Sequence, residues 1–142
     1  GRSLALLATS LRLLTTFWIH DSSTGTLFTS DSFGYRGVVR PTEPPIIGPD
    51  DGPIDRELVA AHLFRKFEWL RGAETGPIAS DLASVVGDLQ IERLCPSHGC
   101  IIEGTNNVSD HLDVVLELLL SAECGVEEVG HARTIKIGGQ SG

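Results

Sequence analysis

The first third of the chain has an apolar pattern that predicts a β-hairpin over residues 12–31. Residues 13–19 (LLTTFWI) are rich in β-branched and aromatic side chains, and residues 26–29 (TLFT) repeat this composition. Between them, residues 21–25 (DSSTG) have the composition of a turn and end in a glycine that can adopt a positive φ. The second strand leads directly into Asp31, so the pattern places a carboxylate at the C-terminal end of a strand.

Three amphipathic helices are predicted after the hairpin, from apolar residues spaced three or four positions apart. Asp55 can cap the first helix, and Pro77 suits the first position of the second. Ser109 is the expected cap of the third helix, which we expect to stop before Gly125. The residues assigned to the buried faces are Val59, Leu63, Phe67 and Leu70 in the first helix, Ile78, Leu82, Val85, Val86 and Leu89 in the second, and Leu112, Val115, Leu116 and Leu119 in the third.

The remaining segments complete an α/β pattern. Residues 91–95 predict a short strand, ended by the turn at residues 96–99. Residues 134–137 alternate weakly like a strand, within a glycine-rich tail (134–142) that we expect to be flexible. The order strand, strand, helix, helix, strand, helix predicts an α/β fold with a mixed sheet that helices cover on one face. We treat residues 1–142 as one partial domain.

A long connection with five prolines joins the hairpin to the first helix over residues 37–53. Connections of this length without secondary structure are uncommon, and some are lids or binding loops. A surface excursion held in place by its prolines is the other interpretation, and the sequence leaves both open.

Composition and charge exclude some classes of partner. With 142 residues and 41% apolar residues, the chain can bury a core. Its formal net charge of −8 argues against a nucleic-acid backbone or an anionic membrane as partner. Arg12 interrupts the apolar opening stretch, which is too short to span a bilayer. Three sparse cysteines suit a reducing cytoplasm, and a start at Gly1 without any methionine leads us to expect a fragment or a processed product.

Two residues stand out as candidate metal ligands because each follows a predicted strand. Asp31 lies three residues before Gly34, and His98 directly precedes Gly99. A carboxylate can bridge two cations through its two oxygens, and a neutral imidazole can serve as a terminal ligand. The alternative is that Asp31 is a turn residue and His98 a histidine that only stabilises its own turn.

These two motifs carry a resemblance to a known family. The sequences TTFWIHDSSTGTLF, LFTSDSFG and CPSHG resemble the metallo-β-lactamase superfamily, and their wording is most similar to its flavodiiron branch, over residues 12–104. The resemblance implies the C-terminal half of an αββα sandwich, in which Asp31 bridges two metals and His98 binds the second. It also implies two iron ions and a flavin-containing electron donor in the parent protein, or zinc and a metal-activated water in a hydrolytic relative.

The chain also departs from the family's pattern. The family's first, histidine-rich metal motif has no counterpart, and the family places a further histidine about 19 residues before the bridging aspartate, where this chain has Arg12. A guanidinium cannot ligate a metal. We therefore expect the chain to be incomplete as an enzyme on its own. Three functions stay open: a piece of a flavodiiron-like oxidoreductase, a piece of a zinc-dependent hydrolase, or a non-catalytic remnant with a decayed metal site.

Other histidines and cysteines offer weaker candidates. His20, His62, His111 and His131 are scattered, and we assign each to packing or to the surface. Cys95, His98 and Cys100 together suggest a zinc site, but with an unusual spacing and without an evident fourth ligand. Cys95 as a small buried apolar residue is the simpler interpretation.

A half-domain leads to a physical expectation about partners. One sheet of a two-sheet sandwich would expose an apolar face to water, beyond the few hundred Å² that monomers usually expose. We therefore expect self-association or binding to a complementary half-domain.

Overall fold

The computed structural model describes residues 1–37, 42 and 45–133, with side chains through residue 122. Six strands and three α-helices make up this part of the chain. The strands are β1 (Leu4–Leu7), β2 (Trp18–Asp21), β3 (Thr26–Phe28), β4 (Ile46–Ile47), β5 (Arg93–Cys95) and β6 (Ile101–Glu103). The helices are α1 (Arg56–Lys66), α2 (Thr75–Gly87) and α3 (Thr105–Arg133), with a short 3₁₀ helix (Glu68–Gly72) after α1.

All six strands belong to one mixed sheet, in the order β1-β2-β3-β5-β6-β4. The β3–β5 and β4–β6 pairs are parallel, and the other neighbouring pairs are antiparallel. The parallel β3–β5 pair requires a long crossover, which α1 and α2 provide. The predicted α/β fold with a mixed sheet is confirmed.

One face of the sheet is buried. The side chains directly opposite one another on neighbouring strands form a continuous row on this face, and each is at most 6% exposed. α3 contacts β5 and β6 and packs against α1 and α2, so the helices lie over this row. The row consists of His20, Leu27, Leu94, Ile102 and Ile47.

The opposite face of the sheet is not covered by any helix in the part of the chain that the structure describes, and we call it the open face. Because side chains alternate between faces, the residues next to the buried ones form a second row, here called the apolar row. Leu6 is 70% exposed, Phe28 45% and Ile46 41%, while the other members are partly exposed. The prediction that helices cover the sheet on one face is therefore confirmed. The apolar row consists of Leu6, Ile19, Phe28, Cys95, Ile101 and Ile46.

The turn between β2 and β3 follows the prediction from its composition. Gly25 has φ +60°. The buried Asp21 carboxylate accepts hydrogen bonds from the Ser23 and Thr24 hydroxyls at 2.6 and 3.0 Å and forms an ion pair with Arg2. These contacts, with Arg2 first among them, hold the pKa of Asp21 well below its usual range. The turn therefore fixes the hairpin and a charged pair at the edge of the open face.

Several strand predictions were wrong in their bounds. The hairpin begins at Trp18, not at residue 13, and exposed Leu13 and Leu14 lie outside any strand. β1, β4 and β6 were not predicted. Each of these strands has two to four residues and forms only by pairing with a neighbour. So few positions are not enough to show the alternation of apolar and polar residues that predicts a strand. The segment 37–53 is thus not without structure, because it contains β4.

The helix predictions also need correction. Asp55 caps α1 as predicted, with Oδ1 accepting from the Leu58 amide at 3.0 Å. Pro77 is the third residue of α2, where a missing amide hydrogen costs no helical bond. Ser109 lies inside α3, which begins after Gly104 (φ +101°).

Helix ends account for the other differences. α3 continues through Gly125, since glycine in a helix costs only about 1 kcal/mol. Leu70 is buried, but in the 3₁₀ helix and not in α1, and Leu89 follows the end of α2. The predicted strand at 134–137 and the tail lie outside the described residues. Within the described ranges, the helices lack the continuous apolar length that a bilayer requires.

Candidate functional site

The loops that follow β3 and β5 meet at one edge of the sheet. Because β3 and β5 are parallel neighbours, their C-terminal ends lie side by side. The Thr29 amide donates to the Cys95 carbonyl at 3.1 Å, and the Ser97 amide donates to the Ser30 carbonyl at 2.8 Å. The backbones that carry Asp31 and His98 therefore continue the sheet pairing beyond the strands.

Two glycines allow these loops to approach so closely. A Cβ atom at Gly34 would lie 2.1 Å from the His98 carbonyl oxygen, which is far inside contact distance. Gly99 has φ +90°, and a Cβ there would lie 2.9 Å from the carbonyl oxygens of Gly34 and Arg36. The glycines that follow the two candidate ligands are thus required by the packing of one loop on the other.

Asp31 lies at the tip of a tight turn after β3. The Ser32 amide donates to the Thr29 carbonyl at 3.0 Å, the Thr29 hydroxyl donates to the Ser32 carbonyl at 2.9 Å, and Ser30 has φ +52°. The Asp31 carboxylate is 27% exposed and forms an ion pair with Lys66, with Nζ 3.0 Å from Oδ1. Lys66, the last residue of α1, was not singled out in the sequence, because nothing local links it to Asp31.

His98 presents its side chain to solvent, while its backbone packs against Gly34. The structure therefore brings the two predicted ligands to one edge of the sheet on adjoining loops. Their role as metal ligands stays a prediction.

The described residues do not fit a metal pair by themselves. Over residues 1–37, 42 and 45–122, no three His, Cys, Asp or Glu side chains form a group that could hold a metal ion. The Cys95, His98 and Cys100 zinc hypothesis fails for this reason. Cys95 belongs to the open face, where partial burial raises the pKa of its thiol. Cys100 is buried, with Sγ 3.7 Å from the Gly37 carbonyl oxygen.

His62 lies one helical turn before Lys66, on the same side of α1. Its Nε2 is buried and, within the described chain, has no hydrogen-bond partner. Burial lowers the pKa of His62 and Lys66 lowers it further, while the backbone and charge of Asp31 act in the opposite direction. From the sequence, His62 was assigned to packing or to the surface. Its spacing of four residues from Lys66 nevertheless indicates that the two side chains lie on the same face of α1.

A second histidine is fully integrated into a hydrogen-bonded chain. His111, only 2% exposed, lies between the Asn107 carbonyl oxygen, 2.6 Å from Nδ1, and the Tyr35 hydroxyl, 2.7 Å from Nε2. A carbonyl can only accept, so Nδ1 carries the proton and Nε2 accepts from the Tyr35 hydroxyl. Burial lowers the pKa of His111 and raises that of Tyr35, which favours the neutral form of both.

The neutral His111 gives the fold a dependence on pH. Its folded pKa lies below the value of about 6.5 in an unfolded chain, so the unfolded state binds the proton first as the pH falls. We expect the free energy of unfolding to be level above pH about 6.5 and to decrease below it. Urea unfolding between pH 8 and pH 5 measures this. His111→Gln should make the decrease smaller without removing it, because burial also lowers the pKa of His62, and an unchanged slope in that variant would contradict the assignment.

His20 is not brought to the site. His20 is buried on the covered face, with Nε2 3.0 Å from the Gln90 carbonyl oxygen. The side chain of His131 lies outside the described part of the chain.

Comparison with known proteins bears on the fold of the chain. No protein-family model and no curated protein matches this chain. Among solved structures, it is similar to rubredoxin:oxygen oxidoreductase from the anaerobe Desulfovibrio gigas, with a TM-score of 0.55 and 16% sequence identity. The similarity covers 82% of this chain and 28% of that one. At this identity the match establishes the fold alone: the chain has the α/β fold of part of that oxidoreductase.

Proposed function

We propose that this chain is a docking half-domain of the metallo-β-lactamase type, which binds another sheet through its open face and is incomplete as an enzyme on its own. The observation that carries the proposal is the apolar row, which crosses all six strands on the face that none of the described helices covers. Two sheets that pack face to face bury rows of this kind between them. Exposed apolar surface of this continuity is typical of interaction sites.

The surroundings of the apolar row favour a second copy of this chain as the occupant. Beside the row lie ion pairs, Arg2 with Asp21 and Arg93 with Glu103, the latter with Nε 2.7 Å from Oε1. Each charge already has its partner in the same chain, so a docked copy would bury no unpaired charge from these pairs. A face of this kind is self-complementary across a two-fold axis.

Substitutions on the apolar row should weaken self-association. We expect the purified chain to form dimers or larger species, and Leu6→Ser and Phe28→Ser to shift it toward monomer by at least about tenfold in the dissociation constant, because each removes exposed apolar area from the interface. Leu14→Ser is the matched control, since Leu14 is 75% exposed but lies outside the row. Sedimentation velocity over a range of concentrations measures the change.

Salt provides an independent test of the same interface. Two copies with a formal charge of −8 repel each other, so association should strengthen as added salt screens this repulsion. A wild-type chain that remains monomeric at all concentrations would overturn self-docking. Equal weakening by Leu14→Ser and Leu6→Ser would place the interface elsewhere.

A second candidate function is favoured by the meeting of the two loops at the sheet edge. By resemblance, Asp31 would bridge two iron ions and His98 would bind one of them, with the remaining ligands supplied from outside the described residues. The electrons would come from a flavin-containing donor, and a hydrolytic relative would hold zinc instead. Metal content after equilibration with Fe(II) or Zn(II) decides this candidate, because two tightly held ions per chain would support it and none would exclude it for this chain alone. The free thiols of Cys95 and Cys100 support a cytoplasmic location for either function.

A further inference from the structure

The Asp31 carboxylate already has a cationic partner within the chain. Lys66 Nζ lies 3.0 Å from Oδ1, and the two side chains are 34% and 27% exposed. The pair is therefore partly shielded from water, where an ion pair is screened less than at an open surface.

The fold fixes both ends of this pair. Asp31 is held by the turn between Thr29 and Ser32, which two internal hydrogen bonds close. Lys66 ends α1, and the buried side chains of Leu63 and Phe67 anchor that end of the helix. A lysine at a helix C-terminus is also favoured by the helix dipole.

A second cationic residue borders the same place. Arg12, which stands where the family pattern has a histidine, lines a small cleft together with Asp31 and the anchoring Phe67. Two cationic residues, Lys66 and Arg12, therefore border Asp31, and Lys66 is the one paired with it.

We infer that the Lys66 ammonium occupies the position beside Asp31 that a metal ion would occupy by the family resemblance. Lys66 thus supplies the positive charge that neutralises the Asp31 carboxylate. The geometry explains why the two cations exclude each other. A metal about 2.1 Å from Asp31 Oδ1 would lie within about 5 Å of Lys66 Nζ, since the Nζ–Oδ1 distance is 3.0 Å. The ammonium would repel it at that separation. The inference is independent of the docking proposal and opposed to the second candidate function.

A double-mutant cycle with a charge-retaining variant tests the inference. Lys66→Met keeps an apolar stem of similar length and removes the charge, Asp31→Asn removes the opposite charge, and Lys66→Arg keeps the cation. We expect a coupling of about two- to fivefold in the unfolding equilibrium constant between Asp31→Asn and Lys66→Met, and a smaller loss for Lys66→Arg than for Lys66→Met. The coupling should shrink in 1 M NaCl. All variants are measured in a Phe28→Ser background, at a protein concentration at which sedimentation shows this background to be monomeric.

The effect of added metal ions on stability provides a second test of the inference. The unfolding midpoint of the chain should be the same in EDTA and in 100 μM Co(II) or Zn(II). Stabilisation by either metal that Asp31→Asn abolishes would overturn the inference, and so would additive effects of Asp31→Asn and Lys66→Met. Neither result bears on docking, which the sedimentation of Leu6→Ser measures separately.

Discussion

Gly34→Ala should destabilise the chain by about 2–3 kcal/mol, because its new methyl group meets backbone and cannot be accommodated by a side-chain rotation. The Cβ atom would lie 2.1 Å from the His98 carbonyl oxygen and 3.1 Å from its carbonyl carbon. One of the two loops must therefore move. Urea unfolding measures the loss as a lower midpoint with an unchanged slope.

The same substitution at Gly72 is the control. Gly72 ends the 3₁₀ helix, and a Cβ there would have no neighbour within 4 Å, so we expect a change within about 0.5 kcal/mol. Hydrogen exchange adds a local measurement, since the Ser97 amide that donates to the Ser30 carbonyl should lose protection in Gly34→Ala. Equal stabilities of the two variants would mean that the loops are not packed together as described.

Leu94→Ala should cost about 2–5 kcal/mol, a large part of the stability of a domain this size. Leu94 is fully buried in the middle of β5, between Leu27 and Ile102 on the covered face. Removing its side chain leaves a cavity beneath the helices, which a rigid sheet cannot close. The midpoint of urea unfolding should fall accordingly.

Leu6→Ala is the matched control on the other face of the sheet. Leu6 is 70% exposed, so its truncation in a monomeric Phe28→Ser background should change the free energy of unfolding by less than about 1 kcal/mol. Similar losses at Leu6 and Leu94 would contradict a sheet that helices cover on one face only.

Features whose cause is local could be predicted from the sequence. The turn at residues 21–25 and the Asp55 cap each depend on side chains that bond to backbone two or three residues away. The α1 face with Val59 and Leu63 follows from helical spacing alone. The start of α2 was predicted at Pro77, two residues later than the observed start at Thr75, because proline is accepted at several positions in a first helical turn.

Features whose cause is distant in the chain could not be predicted. The Lys66–Asp31 ion pair joins residues on different elements, and the Tyr35–His111 hydrogen bond joins a loop to α3. The loops that carry Asp31 and His98 meet at one sheet edge, since parallel strands end together. The sequence motifs around these two residues could not reveal that His98 faces solvent or that a lysine stands beside Asp31.

The parallel pairing of β3 with β5 also bears on how fast the chain folds. Leu27 pairs with Leu94, 67 positions further along, so this contact can form only after a long loop has closed. Pairings of such high contact order slow folding, whereas α1 and α2 can form from local interactions. The hairpin of β2 and β3 therefore forms before β5 pairs with it. Until that pairing, β3 exposes an unpaired strand edge on which newly made chains can aggregate.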